Sequence, residues 1–292
     1  MPVFNGERHI EQALNSIVTQ TFDDFELIIS DNASTDRTAD ICRNYAARDR
    51  RIRYRRNETN IGYGRNQNLV AELSSGEYFM WAHHDDVRAP ECLERCVQQL
   101  DADPAVVLCY TKTRDIDEHG RELPRTDPPL RVDSPIPHQR FQDLIRMDHI
   151  CEPDFGLVRM RILKQTRLHG NYADSDRVFL AELSLYGPFH QIPEYLFFRR
   201  AHVLQSTAQH PDRQGRTRWF DPTKLGKIVF PHFRQFREYL CVIGRVPLPL
   251  NEKVDCYASM MKWVLTNRRR LSDDLTVATK DVLRPFVKAL VN

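Results

Sequence analysis

Through the first hundred residues, short apolar runs rich in β-branched side chains alternate with stretches of helical period. Residues 25–31, Phe-Glu-Leu-Ile-Ile-Ser-Asp, read as a buried strand ending in an acid. Before it, residues 6–19 place Ile10, Ala13, Leu14, Ile17 and Val18 at helical spacing. After it, Ser34, Thr35 and Asp36 offer capping side chains for a helix to about Arg48, with Ala39, Ile41, Cys42 and Tyr45 as its stripe. The same reading predicts a short strand at 52–54, a helix over 62–74 and a strand at 77–82. A helix opening at Pro90 and running through 91–100 follows, then a strand at 105–110. Strands separated by helices of this length need crossovers, so the expected fold class is α/β with a mainly parallel sheet flanked by helices.

After Thr111 the rhythm breaks. Residues 123–137 hold five prolines and no amphipathic period, and read as a loop. Helices are expected at 139–147 and 176–186, and a strand pair at 189–192 and 195–200 around Pro193. The tail after Thr223 reads as helices broken at Pro231, Pro247 and Pro249. Charge follows this division. The 292 residues carry 42 Lys plus Arg and 40 Asp plus Glu, yet residues 223–292 alone carry 13 basic and 6 acidic side chains. A nearly neutral chain lacks the strongly basic face that nucleic acid requires. Apolar content of 41% and charged content of 28% exclude disorder, collagen and coiled coil, and suit one large domain or two medium ones. No apolar run approaches the ~18 residues that cross a bilayer, and no basic-then-apolar leader is written. Seven scattered cysteines make no disulfide framework and point to a reducing, cytoplasmic setting.

In open α/β sheets, ligands bind beyond the carboxyl ends of the strands, and here those ends are polar. They read Pro2-Val3-Phe4-Asn5-Gly6, Asp31-Asn32-Ala33-Ser34-Thr35-Asp36-Arg37-Thr38, and His83-His84-Asp85-Asp86, with Asn60 to Asn68 after the third strand. No phosphate-cradling glycine loop is present. Adjacent Asp85 and Asp86 offer hard oxygen donors suited to Mg²⁺ or Mn²⁺ held with phosphates, although strand alternation should turn only one of them to a metal. Asp31 could accept from a pyrimidine imide or simply make an Asx-turn. Arg65, in a first helical turn, could meet phosphate or be a lone surface arginine. Cys92 and Cys96 share a helix face without a second pair, so core packing is expected rather than zinc. Six arginines between Arg48 and Arg56 read as a solvated face. Asp174-Ser-Asp176 puts a carboxylate at a helix amino terminus, where the dipole lowers its pKa unless burial opposes it; a plain cap is the alternative. His202, in Arg-Arg-Ala-His, could be a metal ligand or an ordinary surface histidine.

Taken together, these motifs resemble the family 2 glycosyltransferases of the nucleotide-sugar-dependent GT-A fold, over about the first two thirds of the chain. The resemblance rests on Pro2 to Gly6, Asp31 to Thr38, Asn60 to Gly62, Gly76 to Phe79, Asp85-Asp86, the Asp176 helix and Arg199 to His202. It implies a GT-A-like, Rossmann-type catalytic domain over 1–210, with a donor half about 1–111 and an acceptor half about 112–210, then a helical region over 211–292. It further implies inverting transfer from a nucleotide diphospho-sugar, with Asp31 at the base and Asp85 on a divalent metal, Mn²⁺ or Mg²⁺. Asp176 becomes the base, Pro2, Asn5, Arg65 and Asp86 line the donor pocket, and His202 completes the metal shell. His83 stands where the family's Asp-x-Asp-Asp has its first Asp, which puts the usual ribose contact in doubt. By family habit the acceptor is a growing surface polysaccharide or lipid-linked glycan.

Two other readings stay open: a metal-dependent nucleotidyltransferase, whose glycine-rich basic start 1–15 lacks, and a degenerate sugar-nucleotide-binding subunit with a dead metal site. The basic tail from Thr223 is expected either to dock peripherally on an anionic membrane's inner face or to pack on the catalytic domain. Family members enter the Pro-Val-x-Asn motif through a longer apolar strand. Met1 is therefore expected to be an internal methionine, with a stunted first strand or a gap in the sheet beside Asn5.

Overall fold

The computed structural model describes residues 1–126, 129–146, 149–203, 205–210, 212–225 and 227–291. Pro128, in the proline-rich loop, and Met147, the expected end of a helix, lie outside them. The first half runs β1 (Pro2–Val3), α1 (Ile10–Val18), β2 (Leu27–Asp31), α2 (Thr38–Arg48), β3 (Ile52–Arg56), α3 (Tyr63–Glu72), β4 (Tyr78–Phe79), β5 (Val87–Arg88), α4 (Cys92–Ala102) and β6 (Leu108–Ile116). Then come β7 (Glu122–Leu123), α5 (Pro137–Arg146), β8 (Leu157–Arg159), α6 (Met160–Leu163), α7 (Ser175–Tyr186), β9 (Phe189–Arg200), α8 (Ser206–Gln209), α9 (Arg213–Phe220), α10 (Pro231–Arg245) and α11 (Leu250–Val291).

The strands form two sheets. β1, β2 and β3 are parallel in that order, with Val3 opposite Asp31 and Leu27 opposite Ile52. The second sheet, ordered β4-β8-β6-β9-β5, is mixed: β6 and β9 run parallel, while β8 and β5 pair antiparallel. The short first strand expected from the sequence is observed: β1 is two residues long and, among the described residues, pairs with β2 alone. Around the parallel sheet, Val3, Ile10, Leu14, Leu27, Ile29, Cys42 and Ile52 close one core. Cys92 and Cys96 are buried, as their helix face predicts, and the arginines of 48–56 are mostly exposed.

Three expectations change. The strand pair around Pro193 is one continuous β9; irregularities opposite Thr111, Lys112 and Thr113 absorb the proline, which has no N–H for the ladder. Of the strand expected at 77–82 only Tyr78–Phe79 pairs, because Trp81 turns into the interior and donates its indole N–H to Gln67 O at 2.9 Å. Arg213–Phe220 forms a helix that no apolar period announced.

The tail is anchored on one side. Tyr239, Val242, Ile243, Cys256, Met260 and Trp263 join the larger core with Phe141, Leu144 and Phe179. Thus α10 and α11 pack on α5 and α7. His138 at the start of α5 receives Glu252, whose carboxylate accepts the His138 backbone N–H at 3.0 Å. Among the described residues, no helix is long and apolar enough to cross a membrane.

Candidate active site

The ends of β1 and β2 are laced together. Asn5, at φ 51°, accepts from Thr35 N–H at 2.8 Å, and its own N–H donates to Ser34 Oγ at 2.9 Å. Gly6 N–H donates to Thr38 Oγ1 at 2.8 Å, and Glu7 N–H to Asp36 Oδ2 at 3.0 Å. Ser34 and Thr35 therefore brace the two strand ends, while Asp36 caps α2 through Thr38 N–H at 3.0 Å. Gly6 is required by close approach: a Cβ there would lie 2.6 Å from the His84 ring. Pro2 is buried within β1, so it positions the turn beneath Asn5.

Asp31 is fully buried, with Oδ1 accepting from Ser34 N–H at 2.8 Å and Oδ2 from the Tyr54 hydroxyl at 2.8 Å. Beside it, asparagines hold the approach to α3. Asn32 donates to Asn60 Oδ1 at 2.8 Å and accepts from Ile61 N–H at 2.9 Å; Asn66 binds both Ser30 and Asn57. This network fixes the first turn of α3, where Arg65 is exposed.

His83, Asp85 and Asp86 converge, their potential ligand atoms all within 4.8 Å of one another. The expectation that strand alternation would part the two acids fails, because 84–85 is a bend and the next strand starts only at Val87. His202 Nε2 lies 2.9 Å from Asp85 Oδ2, so it touches the cluster through Asp85. Arg200, missed in the sequence reading beside His202, is the hub. It is almost completely buried; its N–H donates to Asp86 Oδ1 at 2.9 Å, its Nε to Asp85 O at 3.0 Å, and its remaining nitrogens to Gln12 Oε1, Asp117 O and Glu118 O.

Electrostatics separate the neighbours. Burial alone would raise Asp85, but the imidazoles of His84, His202 and His83 outweigh it and hold the carboxyl below the ordinary range. Burial, then the charge of Asp85, pushes Asp86 up to about 8. Burial pushes His83 down to about 4, leaving a neutral ring with a free lone pair. Two crowded carboxylates and a neutral imidazole suit a hard or borderline divalent cation, so the residues present fit Mn²⁺ or Mg²⁺.

A second group of acids stands at the start of α7. Asp174 is its N-cap in a left-handed conformation, φ 61°, and its Oδ2 lies 2.5 Å from Arg213 Nε on α9. Asp176 Oδ1 accepts from Arg177 N–H at 2.8 Å. Burial, followed by the charges of Asp174 and Asp154, raises the Asp176 carboxyl, so burial does overcome the helix dipole. Nearby, His169 Nε2 lies 3.1 Å from Asp154 Oδ1, with the ring packed against Trp81 and Phe179. Burial alone would lower His169; Asp154, then Asp176, reverses that and raises it. Asn68 pins the His169 backbone at both its N–H and its carbonyl.

Tyr63 links the two groups. Its hydroxyl lies 3.5 Å from His83 Nε2, and burial together with the charges of Asp154, Asp176, Asp85 and Asp86 raises its pKa. Trp219 and Phe220 of α9 pack on the Tyr63 ring at 4.9 and 5.1 Å. Neither Tyr63 nor Asp154 and His169 carried a usable sequence signal, since each reads as an ordinary core or turn residue alone.

This architecture matches solved transferase structures. A Staphylococcus aureus TarS fragment in complex with UDP-GlcNAc superposes with a TM-score of 0.67 at 15% identity, over 96% of this chain and 80% of that one. Mannosyltransferase PcManGT from Pyrobaculum calidifontis, in complex with GDP-Man and Mn²⁺, superposes with a TM-score of 0.55 at 14% identity, over 99% and 78%. At the sequence level, an uncharacterized glycosyltransferase of Methanocaldococcus jannaschii is 26% identical over 162 residues, and chondroitin synthase of Escherichia coli is 31% identical over 120. Those matches cover 55% and 41% of this chain, and only 54% and 17% of the relatives' own lengths. The fold is that of GT-A-like glycosyltransferases. The family model for glycosyl transferase family 2 matches residues 1–167, more than half the chain, and the chain belongs to that family.

Proposed function

We propose that this enzyme transfers a sugar from a nucleotide diphospho-sugar to an acceptor hydroxyl with inversion at the anomeric carbon, in surface polysaccharide or glycan assembly. The observation that carries this reading is the pair of acidic groups facing Tyr63: a cation-type cluster at the strand ends and a raised carboxylate, Asp176, opposite. The donor half, about 1–111, contributes His83, Asp85 and Asp86; the acceptor half, about 112–210, contributes the second group and brings Arg200 and His202 to the first, and 211–292 is the helical region.

In this proposal Pro2, Asn5 and Asp31 shape the base and ribose pocket. Arg65 reaches for the diphosphate, and Asp86 orients the cluster through Arg200. Asp85 would hold a divalent cation, with His202 steadying Asp85 and completing the shell, and the neutral His83 replaces the family's first Asp. When bound, the cation offsets the charge that develops on the leaving diphosphate. The acceptor oxygen attacks the anomeric carbon, its proton passes to Asp176, and the bond to the nucleoside diphosphate breaks on the opposite face. Inversion needs no protein nucleophile. Asp174, already engaged by Arg213, is the poorer base. The acceptor is a glycan or lipid-linked glycan, met by an enzyme working peripherally at a cytoplasmic membrane face.

The test is release of nucleoside diphosphate from a panel of UDP- and GDP-sugars with Mn²⁺, Mg²⁺ or EDTA, with product configuration read by NMR. Asp176→Asn should lower turnover by about two to four powers of ten and leave donor binding nearly unchanged. Near-normal turnover in that variant transfers the role to Asp174. Binding without turnover on any donor would indicate a non-catalytic subunit, and release of pyrophosphate from a nucleoside triphosphate a nucleotidyltransferase.

A further inference from the structure

Helix α11 has two faces. One, with Cys256, Met260 and Trp263, is buried against the catalytic body. On the other, Leu250, Val254, Tyr257, Met261 and Leu265 are 78%, 57%, 41%, 68% and 64% exposed. Their spacing of three and four residues sets them in one stripe along the helix, about 22 Å long at 1.5 Å per residue. Five sizeable apolar side chains in a row on a surface helix mark an interaction site rather than scattered exposure.

We propose that this stripe is a docking surface for an anionic lipid bilayer, on which α11 lies parallel to the membrane plane. Charge selects the occupant. Lys253 borders the stripe on one side, Lys262 and Arg269 on the other, and Arg268 continues it one turn beyond Leu265. Lys262, Arg268 and Arg269 are exposed, and none forms an ion pair among the described residues. An apolar stripe edged by basic side chains is the pattern of an interfacial helix, in which the stripe enters the acyl boundary and the cations meet lipid phosphates. The inference deepens the peripheral-membrane part of the proposed function and can fail without it, since vesicle binding needs no sugar donor.

The experiment is co-sedimentation of the full 292-residue chain with phosphatidylcholine vesicles, with and without phosphatidylglycerol, at low and high salt. Binding is expected only to the anionic vesicles and should weaken with salt. Val254→Asp with Met261→Asp, both at exposed positions, should weaken it by at least about ten-fold. Lys262→Glu with Arg269→Glu should weaken it by about thirty-fold or more. Thr266→Asn, a neutral exchange on α11 outside the stripe, should change nothing. Donor binding by calorimetry should be equal in all variants, which separates lost docking from a lost fold. Failure of the parent chain to sediment with anionic vesicles at low salt overturns the proposal, as does unchanged sedimentation of Val254→Asp with Met261→Asp. A concentration-dependent dimer that this double variant dissolves, without vesicle binding, assigns the stripe to a second copy instead.

Discussion

Asp85 and Asp86 are held by backbone, by histidines and by one buried arginine; Asp154, Asp174 and Asp176 are held by each other's neighbours and by a helix from the tail. At the strand ends, the positive partners belong to the catalytic sheets themselves, and Arg200 is bonded on every side. At the α7 end, Arg213 reaches Asp174 from α9 and also donates to Gln235 Oε1 of α10 at 3.0 Å. The first arrangement is rigid, which suits the proposed binding of a diphosphate with its cation. In the second, burial and the charges of Asp174 and Asp154 outweigh Arg177 and His169 at Asp176 and leave that carboxylate the more basic one. This difference matches the proposed division of labour, binding at one end and proton removal at the other.

The most severe way to break the comparison is at Asp85. Asp85→Asn should abolish Mn²⁺-dependent nucleotide binding and leave the fold intact, because the amide can still accept the His202 contact. Calorimetry that finds the metal and nucleotide affinities unchanged would remove Asp85 from the cation site.

Arg200 tests rigidity directly. Arg200→Met keeps the length of the side chain but leaves the carbonyls of Asp85, Asp117 and Glu118 without their donor. Removing one member of so buried a polar network costs about 3–5 kcal/mol, to be read by urea unfolding. Arg213→Met, at the other end, should cost less, about 1–3 kcal/mol, since it removes fewer contacts from a pair that keeps some solvent. Equal losses in the two variants would erase the contrast between the rigid and the adjustable end.

Legibility in the sequence followed the same line. The parallel strands, their helices and the polar strand ends could be read because Ile28, Ile29 and their like repeat on a short period and end abruptly in Asp31 and Asn32. Asp85, Asp86, His202 and Asp176 were reachable as motif residues. What could not be read depended on distant segments meeting. Arg200 becomes a hub only when β9 delivers it beside 85–86 and the 117–118 turn. His169 becomes a partner of Asp154 only when the two segments close on each other. Tyr63 looks like one more first-turn residue of α3 until Trp219 and Phe220 arrive from a helix with no apolar stripe. Nor could α11's two faces be told apart, since residues 250–265 carry apolar side chains on the buried face (Cys256, Met260, Trp263) and on the exposed one alike.

A smaller effect concerns pH. Asp176 must be ionised to take a proton, and its carboxyl is raised by burial, Asp174 and Asp154, with Arg177 and His169 opposing and Cys151 and Tyr63 packed nearby. Turnover should therefore fall on the acid side at a pH above the ordinary aspartate range. Asp174→Asn removes one neighbouring negative charge, so it should move that limb to lower pH, with kcat at neutral pH little changed. A limb that moves upward, or does not move, would show that Asp174 does not act on Asp176 through charge.

The smallest expected effect lies in stability. For a carboxyl whose folded pKa is raised, the protonated form is the one that the fold accommodates. Its contribution is fully present below the unfolded value and is lost as pH rises through the folded one. At neutral pH, ionised Asp176 is thus a local strain on the fold, and Asp176→Asn should unfold at a higher temperature than the parent chain. The gain should shrink as pH falls through the folded value and be gone below the unfolded aspartate value, where both chains carry a neutral group. Asp85 has the opposite sign: it is depressed, so Asp85→Asn should lose stability at neutral pH and recover parity only in strong acid. Thermal unfolding of the two variants across that pH range gives curves of opposite slope relative to the parent. If Asp176→Asn is instead destabilising at neutral pH, the carboxylate is better solvated or better paired than the structure places it. A base made strong by burial would then no longer be available at the α7 end.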